Sequence, residues 1–552
     1  MTQGTSWARN ARFRRLGLGI STGIAAVAVV MSTVAGVEAQ DLPLAPSTPS
    51  ATCGPGSRPE TGRQGRVTAA DYDLGVDFTC NVEVLGHIGA AGGFKVLRYV
   101  DAQDQECAFY DSTLLFPADV IDNLNAGQDP AGVFVLDMSD PTKPTHVTSL
   151  VTPAMLSPHE SLVLNQKRGL LAAVMGNPTT YPGIIDLYDV TQDCLHPTLL
   201  SSSPTGLLGH ESGFSLDGNT FYASSLITGN VVAVDVSNPV APVPLWTGEF
   251  SSHGVSISDD GNRVYFSSLN VDGSPLLRLG LDPGLVILDS TDIQDRVLPP
   301  APKVISKFRW EPRSTPQIAI PVTFAGKPHL IEIDEFAGVG MPDASSLPGA
   351  ARIIDISDET KPVQVSDIRL EVHQAKHRDA EQMSDPGANS PIGGYSGHYC
   401  SVPTSTDPDI LACTFILSGL RVFDIKNPAA PKEIAYFNPI KGGQAFSMSA
   451  PAFVPERSEI WFTDGNKGFY ALRLTNGVWG GEVPAPAGDA APDGASTESR
   501  PKPTSVAPGD GLPSTNGEAE RGGGIPLAST GGSIAVGLAA LAAAAGLVLR
   551  RS

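Results

Sequence analysis

The amino-acid sequence predicts an all-β fold, a seven-bladed β-propeller, with six or eight blades as the alternatives. Three observations predict it: a phrase that recurs along the chain, the distance between its copies, and a hairpin pattern inside each copy. The phrase is an apolar run followed by an Asp and a polar turn, and its clearest copies lie at 133–141, 231–239, 352–358 and 420–428. One such unit cannot bury its own apolar face, so the units must stack on their neighbours.

The spacing of the copies gives the size of the unit. Weaker copies occupy the gaps, and the Asp positions in chain order are Asp137, Asp189, Asp235, Asp289, Asp355 and Asp424. Their separations of 46 to 69 residues fit blades of roughly 40–50 residues plus loops. A last copy at 468–474 lacks the Asp, and seven units fit between residues 82 and 474.

The sequence pattern within each unit predicts four strands. In one unit the runs 253–258 and 263–268 flank the turn 259–262, which carries the Asp, Gly and Asn that hairpin turns require. The run 285–289 is the third strand, and the segment after each Asn-Pro or Asp-Pro supplies a fourth, where Pro suits an outer edge. The early run 82–87 either opens the first blade or closes the ring against the last one.

The repeated phrase resembles that of the LVIVD-repeat family of secreted bacterial and archaeal propellers. The resemblance covers residues 82–474. It implies a propeller fold and an extracellular setting. It implies no reaction, because a structural repeat defines the family.

The first 39 residues have the layout of a secretory signal peptide. Four Arg between positions 9 and 15 precede an apolar stretch at 16–34, and small residues follow as far as Ala39. We expect cleavage after Ala39, which leaves an N-terminal extension at 40–81. An uncleaved membrane anchor is the alternative, because the apolar stretch is long for a signal peptide.

The C-terminal segment 527–552 resembles a sortase sorting signal of the Leu-Ala-x-Thr-Gly type, which high-GC Gram-positive bacteria use. The pentapeptide consists of Leu527, Ala528, Ser529, Thr530 and Gly531. The apolar run 533–549 is predicted as a transmembrane helix, and the Arg pair behind it follows the positive-inside tendency. The resemblance implies that a sortase cuts after Thr530 and joins it to cell-wall peptidoglycan. A plain transmembrane anchor is the alternative.

Residues 475–526 are rich in Pro, Gly and Ala and lack a periodic apolar pattern. Such a segment buries too little apolar surface to become ordered. We expect a disordered linker that carries the propeller away from the membrane and through the wall. The sequence therefore predicts a secreted, extracellular protein that is anchored to the cell wall or the membrane.

Charge and cysteine content restrict the partners and the compartment. The formal net charge of −21 argues against nucleic acid, whose phosphates must be neutralised by Lys and Arg. Six cysteines suit an oxidising compartment. Plausible pairs are Cys400 with Cys413 across a hairpin, Cys53 with Cys80 in the extension, and then Cys107 with Cys194 between neighbouring blades. Other connectivities stay open.

Four histidines share one position, the start of the first strand of a blade. They are His159, His210, His253 and His398. The first strands of a propeller line its central channel, so these imidazoles could together hold one divalent transition metal. The blades that begin near Ser314 and Ser449 have no His in register, and a repeated His can also serve the fold alone by bonding to backbone.

Strand alternation predicts that the residues next to these histidines, Glu160 and Glu211, face the opposite way and orient neighbouring groups. Two further histidines, His373 and His377, precede the blade of His398. Their spacing would place both on one face of a helix, although the polar, Gly- and Pro-rich stretch that follows favours a loop over the channel.

The expected function is that of a surface-anchored propeller that binds an unknown extracellular ligand or partner on its loop face. There is no Gly-x-Ser-x-Gly elbow, no Gly-rich phosphate loop with Lys and no His-Glu-x-x-His, so catalytic residues stay unassigned. The alternative is an extracellular metal-dependent enzyme, an oxidase or a hydrolase, that uses the four channel histidines. The His and Asp-Gly-Asn strand pattern leaves a lactonase-like hydrolase as a third possibility.

Overall fold

Seven antiparallel sheets form the described part of the computed structural model. The structure describes residues 45–112, 132–156, 158–174, 183–206, 209–225, 229–272, 282–337, 348–374, 377, 385 and 394–480. The seven-bladed β-propeller predicted from the sequence is confirmed. The predicted signal peptide and the sorting signal with its helix at 533–549 lie outside the described residues, as does the predicted linker 475–526 except for residues 475–480. In that described part Trp479 is buried in the core of blades 6 and 7.

The first four blades follow two N-terminal strands, β1 (Phe78–Cys80) and β2 (Val82–Ile88). Blade 1 contains β3 (Val96–Val100), β4 (Glu106–Asp111), β5 (Val133–Asp137) and β6 (Thr145–Leu150). Blade 2 contains β7 (Val163–Asn165), β8 (Leu170–Val174), β9 (Ile185–Asp189) and β10 (Thr198–Ser203). Blade 3 contains β11 (Ser212–Phe214), β12 (Thr220–Ser225), β13 (Asn230–Asp235) and β14 (Val243–Glu249). Blade 4 contains β15 (Ser251–Ile257), β16 (Arg263–Asn270), β17 (Gly284–Asp289) and β18 (Lys303–Phe308).

The last three blades include both N-terminal strands. Blade 5 contains β19 (Ser314–Phe324), β20 (Lys327–Ala337), β21 (Ala351–Asp355) and β22 (Val363–Ile368). Blade 6 contains β23 (Gly397–Ser401), β24 (Ile410–Phe415), β25 (Gly419–Asp424) and β26 (Lys432–Asn438), with β1 as a fifth strand on its edge. Blade 7 contains β27 (Ala452–Val454), β28 (Glu459–Asp464), β29 (Gly468–Leu474) and β2.

The ring is closed by a strand from the other end of the propeller. β2 pairs with β29 in antiparallel register, from Val82 opposite Leu474 to Ile88 opposite Phe469. Of the two roles that the sequence left open for this early run, it therefore takes the second, closing the ring against the last blade. The first strands of neighbouring blades contact one another at β7 and β11, β11 and β15, β15 and β19, and β19 and β23, so these strands are the innermost ones.

The hydrophobic cores lie between blades. The core between blades 2 and 3 consists of Ala172, Val174, Ile185 and Leu187 packed against Phe221, Ala223, Val232 and Val234. A comparable cluster fills each of the other junctions around the ring. Each blade thus buries its two faces against two neighbours, as the stacking argument from the repeat requires.

The recurring Asp has a structural role at the end of the third strand. In all six copies its Oδ1 accepts a hydrogen bond from the backbone N–H two residues further along, at 2.7 to 3.1 Å. This bond forms a tight turn that directs the chain into the outer strand, a task for which Asp is well suited. The side chain of Ser357, and after it this backbone bond, lower the pKa of Asp355 because both favour its carboxylate.

All six cysteines form the three disulfides that the sequence favoured. Cys53 pairs with Cys80 in the N-terminal extension, Cys107 of blade 1 with Cys194 of blade 2, and Cys400 with Cys413. The last pair faces directly across β23 and β24. These predictions are confirmed.

Helices are few and short in the described part of the chain. They are α1 (Ala69–Asp73), α2 (Pro153–Leu156), α3 (Thr291–Gln294) and two 3-10 turns at Glu371–His373 and Pro455–Arg457. The extension that carries α1 is fastened to blade 6, where Arg421 is bonded to Glu60 and lies 3.1 Å from Glu433. Within the residues described, none of these helices has the length and apolar character needed to cross a membrane.

The turn formed by the repeated Asp can be tested at Asp137, whose bond to Ser139 N is 2.9 Å long. Replacing Asp137 with Ala should lower the free energy of unfolding by about 0.5–1.5 kcal/mol, because one hydrogen bond is lost. Urea denaturation of the purified protein measures the change. Asp137→Asn keeps an acceptor oxygen and should retain most of the stability; equal losses in both variants would show that the turn bond is not the cause.

Candidate metal centre

Four innermost strands bring the four predicted histidines to one point on the axis. His159 and His210 stand just before β7 and β11, whereas His253 and His398 lie within β15 and β23. All four Nε2 atoms surround the carboxylate of Glu160: the distances to its nearer oxygen are 3.3 Å for His210, 3.3 Å for His398, 3.9 Å for His253 and 4.0 Å for His159. The structure therefore brings all four residues together.

Neighbouring imidazole rings pack against one another around the channel. The ring centres of His159 and His210 are 4.5 Å apart, and those of His210 and His253 are 4.6 Å apart and nearly parallel. Phe94, from blade 1, is fully buried and lies 4.7 Å from the His159 ring and 5.4 Å from the His398 ring. An aromatic side chain thus completes the ring where a blade has no His.

Backbone carbonyls orient two of the imidazoles. Nδ1 of His253 is 2.7 Å from the carbonyl oxygen of Pro316, and Nδ1 of His398 is 2.6 Å from that of Met448. A carbonyl only accepts, so each Nδ1 carries the proton and donates it. In the neutral ring this leaves the lone pair on Nε2, which is the arrangement that protein metal ligands use.

Glu160 is placed differently from the sequence prediction. Strand alternation predicted that it faces away from the histidines, but its carboxylate lies among all four of them. The prediction was wrong because Glu160 precedes β7 rather than belonging to it, and His159 has a left-handed backbone with φ of 52°. Alternation applies only inside an extended strand.

A second carboxylate, that of Glu335, was not found from the sequence. It lies near the end of β20 in blade 5, the blade whose first strand has no His in register. Its Oε2 is 3.3 Å from His253 Nε2, and its Oε1 is 3.7 Å from His398 Nε2. The signal that could have indicated it is the length of the hairpin, since β19 and β20 have 11 residues each.

A connected layer of buried polar groups holds Glu160 in place. Gln317 Nε2 donates to Glu160 and also lies 2.8 Å from the hydroxyl of Tyr399. That hydroxyl donates to Glu211, whose other oxygen is 2.9 Å from Lys95 Nζ. Lys95 also lies 4.1 Å from the centre of the Tyr399 ring. Glu211 thus orients neighbouring groups, as the sequence predicted for it.

Burial and mutual charge set the protonation of the site. Burial lowers the pKa of His159 and lowers that of His210 well below its usual value, which favours the uncharged form of each ring. Burial acts against the charge of Glu160 too, but the surrounding imidazoles outweigh it and hold its pKa well below the usual range. Burial also lowers the pKa of His398, yet the carboxylates of Glu160 and Glu335 raise it to about 9.

The donor set fits a divalent transition metal. Imidazole nitrogens and carboxylate oxygens together are typical ligands of such ions. The Nε2 atoms of His210 and His398 are buried and neither makes a well-formed hydrogen bond. A buried polar atom without a partner is costly. An ion at this place would bind the lone pair of His210 Nε2 and, by displacing its proton, that of His398 Nε2.

The other two histidines do not form a metal pair with each other. Nε2 of His373 is 2.9 Å from the carbonyl oxygen of Tyr395, and its Nδ1 accepts from the N–H of Leu370. His377 lies 3.6 Å from a carboxylate oxygen of Glu371. Glu371–His373 form a 3-10 turn, and among the described residues the two rings have different partners.

Comparisons with known proteins add little about activity. No family model matches the chain, and no curated protein matches its sequence. Among solved structures, the β-propeller domain of Cps50 (Swd1) from Myceliophteria thermophila aligns at 10% identity and a TM-score of 0.44, covering 71% of this chain and 100% of that one. The periplasmic gluconolactonase of Pseudomonas aeruginosa aligns at 15% identity and a TM-score of 0.40, covering 61% of this chain and 86% of that one. Hydrazine synthase of Kuenenia stuttgartiensis aligns at 11% identity and a TM-score of 0.43, covering 70% of this chain and 97% of that one. Similarity this low carries no functional argument.

Gln317 offers a test of how the polar layer supports the site. Gln317→Leu removes the donor that holds Glu160, so the affinity for a divalent transition metal should fall about 10–100-fold, the usual effect of losing a group that orients a ligand. Calorimetric titration of the purified protein measures it. Gln294→Leu is the matched control, because Gln294 bonds to Asp217 in blade 3; an unchanged affinity in Gln317→Leu would contradict the assigned role.

Proposed function

We propose that this protein is an exported β-propeller that binds divalent transition metal on its axis. The ligands would be the imidazoles of His159, His210, His253 and His398 together with the carboxylates of Glu160 and Glu335. The observation that carries the proposal is the convergence of four Nε2 atoms within 4.0 Å of one buried carboxylate. This supports the metal-dependent alternative over a scaffold that only presents loops.

The protein's own groups prepare such a site in three ways. The carbonyls of Pro316 and Met448 fix the rings of His253 and His398 with Nε2 directed inward. Gln317 anchors the carboxylate of Glu160. Burial disfavours protonation of His159 and His210, so their nitrogens are available as ligands at neutral pH. A bound transition metal would supply Lewis-acid or redox chemistry to a ligand that reaches the axis.

We also propose that the propeller is displayed on the cell surface. The N-terminal signal pattern and the pentapeptide at 527–531 support this. Three disulfides that use all six cysteines support an oxidising, extracellular setting. A soluble extracellular ligand would reach the propeller without crossing the membrane.

Metal binding can be tested directly on the purified protein. After treatment with a chelator, titration with Mn²⁺, Co²⁺ or Zn²⁺ should show tight binding, with metal retained through gel filtration and counted by elemental analysis. His210→Ala should weaken binding by more than the 10–100-fold expected for an orienting residue, because a ligand is lost. His196→Ala is the control, since His196 is exposed and pairs only with Asp193 among the described residues. Binding that is absent, or equal in both variants, would refute the proposal.

Display on the cell surface has a separate test. Thr530→Ala removes the residue that the sorting signal would join to peptidoglycan, so the protein should shift from the wall fraction to the membrane and the medium. Fractionation of a sortase-bearing Gram-positive host, followed by immunoblotting, measures the distribution. Ser529→Ala changes the variable position and should leave attachment intact. Equal wall attachment of both variants would exclude the sortase route.

A further inference from the structure

The candidate ligands fall into two sets that share one residue. In the first set the donor atoms of His159, Glu160 and His210 lie within 4.8 Å of one another, and in the second those of Glu160, Glu335 and His398 do so. Each set therefore has the dimensions of one ion with three protein ligands. Glu160 is the member common to both.

The two oxygens of Glu160 have different nearest imidazoles. Oε2 is 3.3 Å from Nε2 of His210, in the first set, and Oε1 is 3.3 Å from Nε2 of His398, in the second. The next imidazoles lie further off, with Nε2 of His253 3.9 Å from Oε2 and Nε2 of His159 4.0 Å from Oε1. A carboxylate in this orientation can offer one oxygen to each of two ions. Gln317 and the polar layer behind it fix this orientation from one side only, through Oε2.

Glu335 brings His253 into the second set. One oxygen of Glu335 faces His398 and the other lies 3.3 Å from Nε2 of His253. An ion beside Glu335 and His398 would therefore have His253 within reach as a further nitrogen ligand. Three donors then belong to the first set and four to the second, with Glu160 counted in both.

We propose, on the basis of the metal-binding function above, that the centre holds two divalent transition-metal ions with Glu160 as the bridging ligand. His159 and His210 bind the first ion, and His253, His398 and Glu335 bind the second. Three or four protein ligands leave each ion open positions for water or a substrate, as catalytic metal sites do. Pairs of this kind, about 3.5–4 Å apart, act on substrates whose oxygens contact both ions.

A single ion would use the same residues differently. A single ion that took all six side chains as ligands would have a full octahedral shell and no position open to a substrate. The donors instead lie in two groups, each of which is compact by itself. The geometry therefore favours two ions over one.

The experiment counts ions and measures the coupling between them. The full-length purified protein is stripped with chelator, loaded with Mn²⁺ and passed through gel filtration; elemental analysis gives the stoichiometry and electron paramagnetic resonance gives the magnetic coupling. We expect two equivalents of Mn²⁺ and the spectrum of an exchange-coupled pair. Glu335→Gln should retain one equivalent with the spectrum of an isolated ion, and His196→Gln should behave as the unaltered protein.

Each other outcome has a defined meaning. One tightly bound equivalent in the unaltered protein overturns the pair but leaves the metal-binding function intact, whereas no bound metal overturns both. Two equivalents without magnetic coupling overturn the bridging role of Glu160. Two equivalents in Glu335→Gln, verified as folded by circular dichroism, overturn the assignment of the second site.

Discussion

Every feature of this propeller depends on one constraint: a blade can bury its two faces only against two neighbours. In the described chain seven interblade cores satisfy that constraint, and the pairing of β2 with β29 closes the ring by joining the two ends of the propeller in one blade. Because the ring closes, the start of each innermost strand is brought to the axis. Residues that lie hundreds of positions apart, such as Lys95 and Tyr399, then come into contact.

The fold could be predicted because its determinants are local. The repeated Asp accepts a hydrogen bond from the backbone N–H two positions later. This short sequence pattern therefore marks the end of a third strand wherever it occurs. The apolar run before it is the strand that lies in the middle of a blade and packs on both sides. The cysteine pairs were open to sequence reasoning for a similar reason: Cys400 and Cys413 flank one hairpin.

Only part of the site could be predicted in this way. The four histidines were found because they recur in the same position of the repeat. Glu335, Gln317 and Lys95 carry no such signal, since each occurs once and reaches the centre only through the order of blades around the ring. Glu160 was recognised as a neighbour but placed on the wrong side, because a rule for strands was applied to a residue that precedes one.

The axis also differs in charge from the other buried ionic clusters. In blade 5 the carboxylates of Glu332 and Asp334 are paired with Arg352, and in blade 6 Glu433 is paired with Arg421. Among the described residues, Glu160 and Glu335 are paired only with imidazoles.

Removing a carboxylate from water costs several kcal/mol, and an imidazole offsets that cost only in its protonated form. The chain partly offsets this cost by keeping His398 protonated, since the carboxylates of Glu160 and Glu335 outweigh the effect of burial and raise its pKa to about 9. Well-packed apolar side chains at buried positions are often at least as stabilising as buried ionic groups. The arrangement is therefore poorly explained by the needs of the fold, and it is well suited to a site in which bound metal cations supply the missing positive charge.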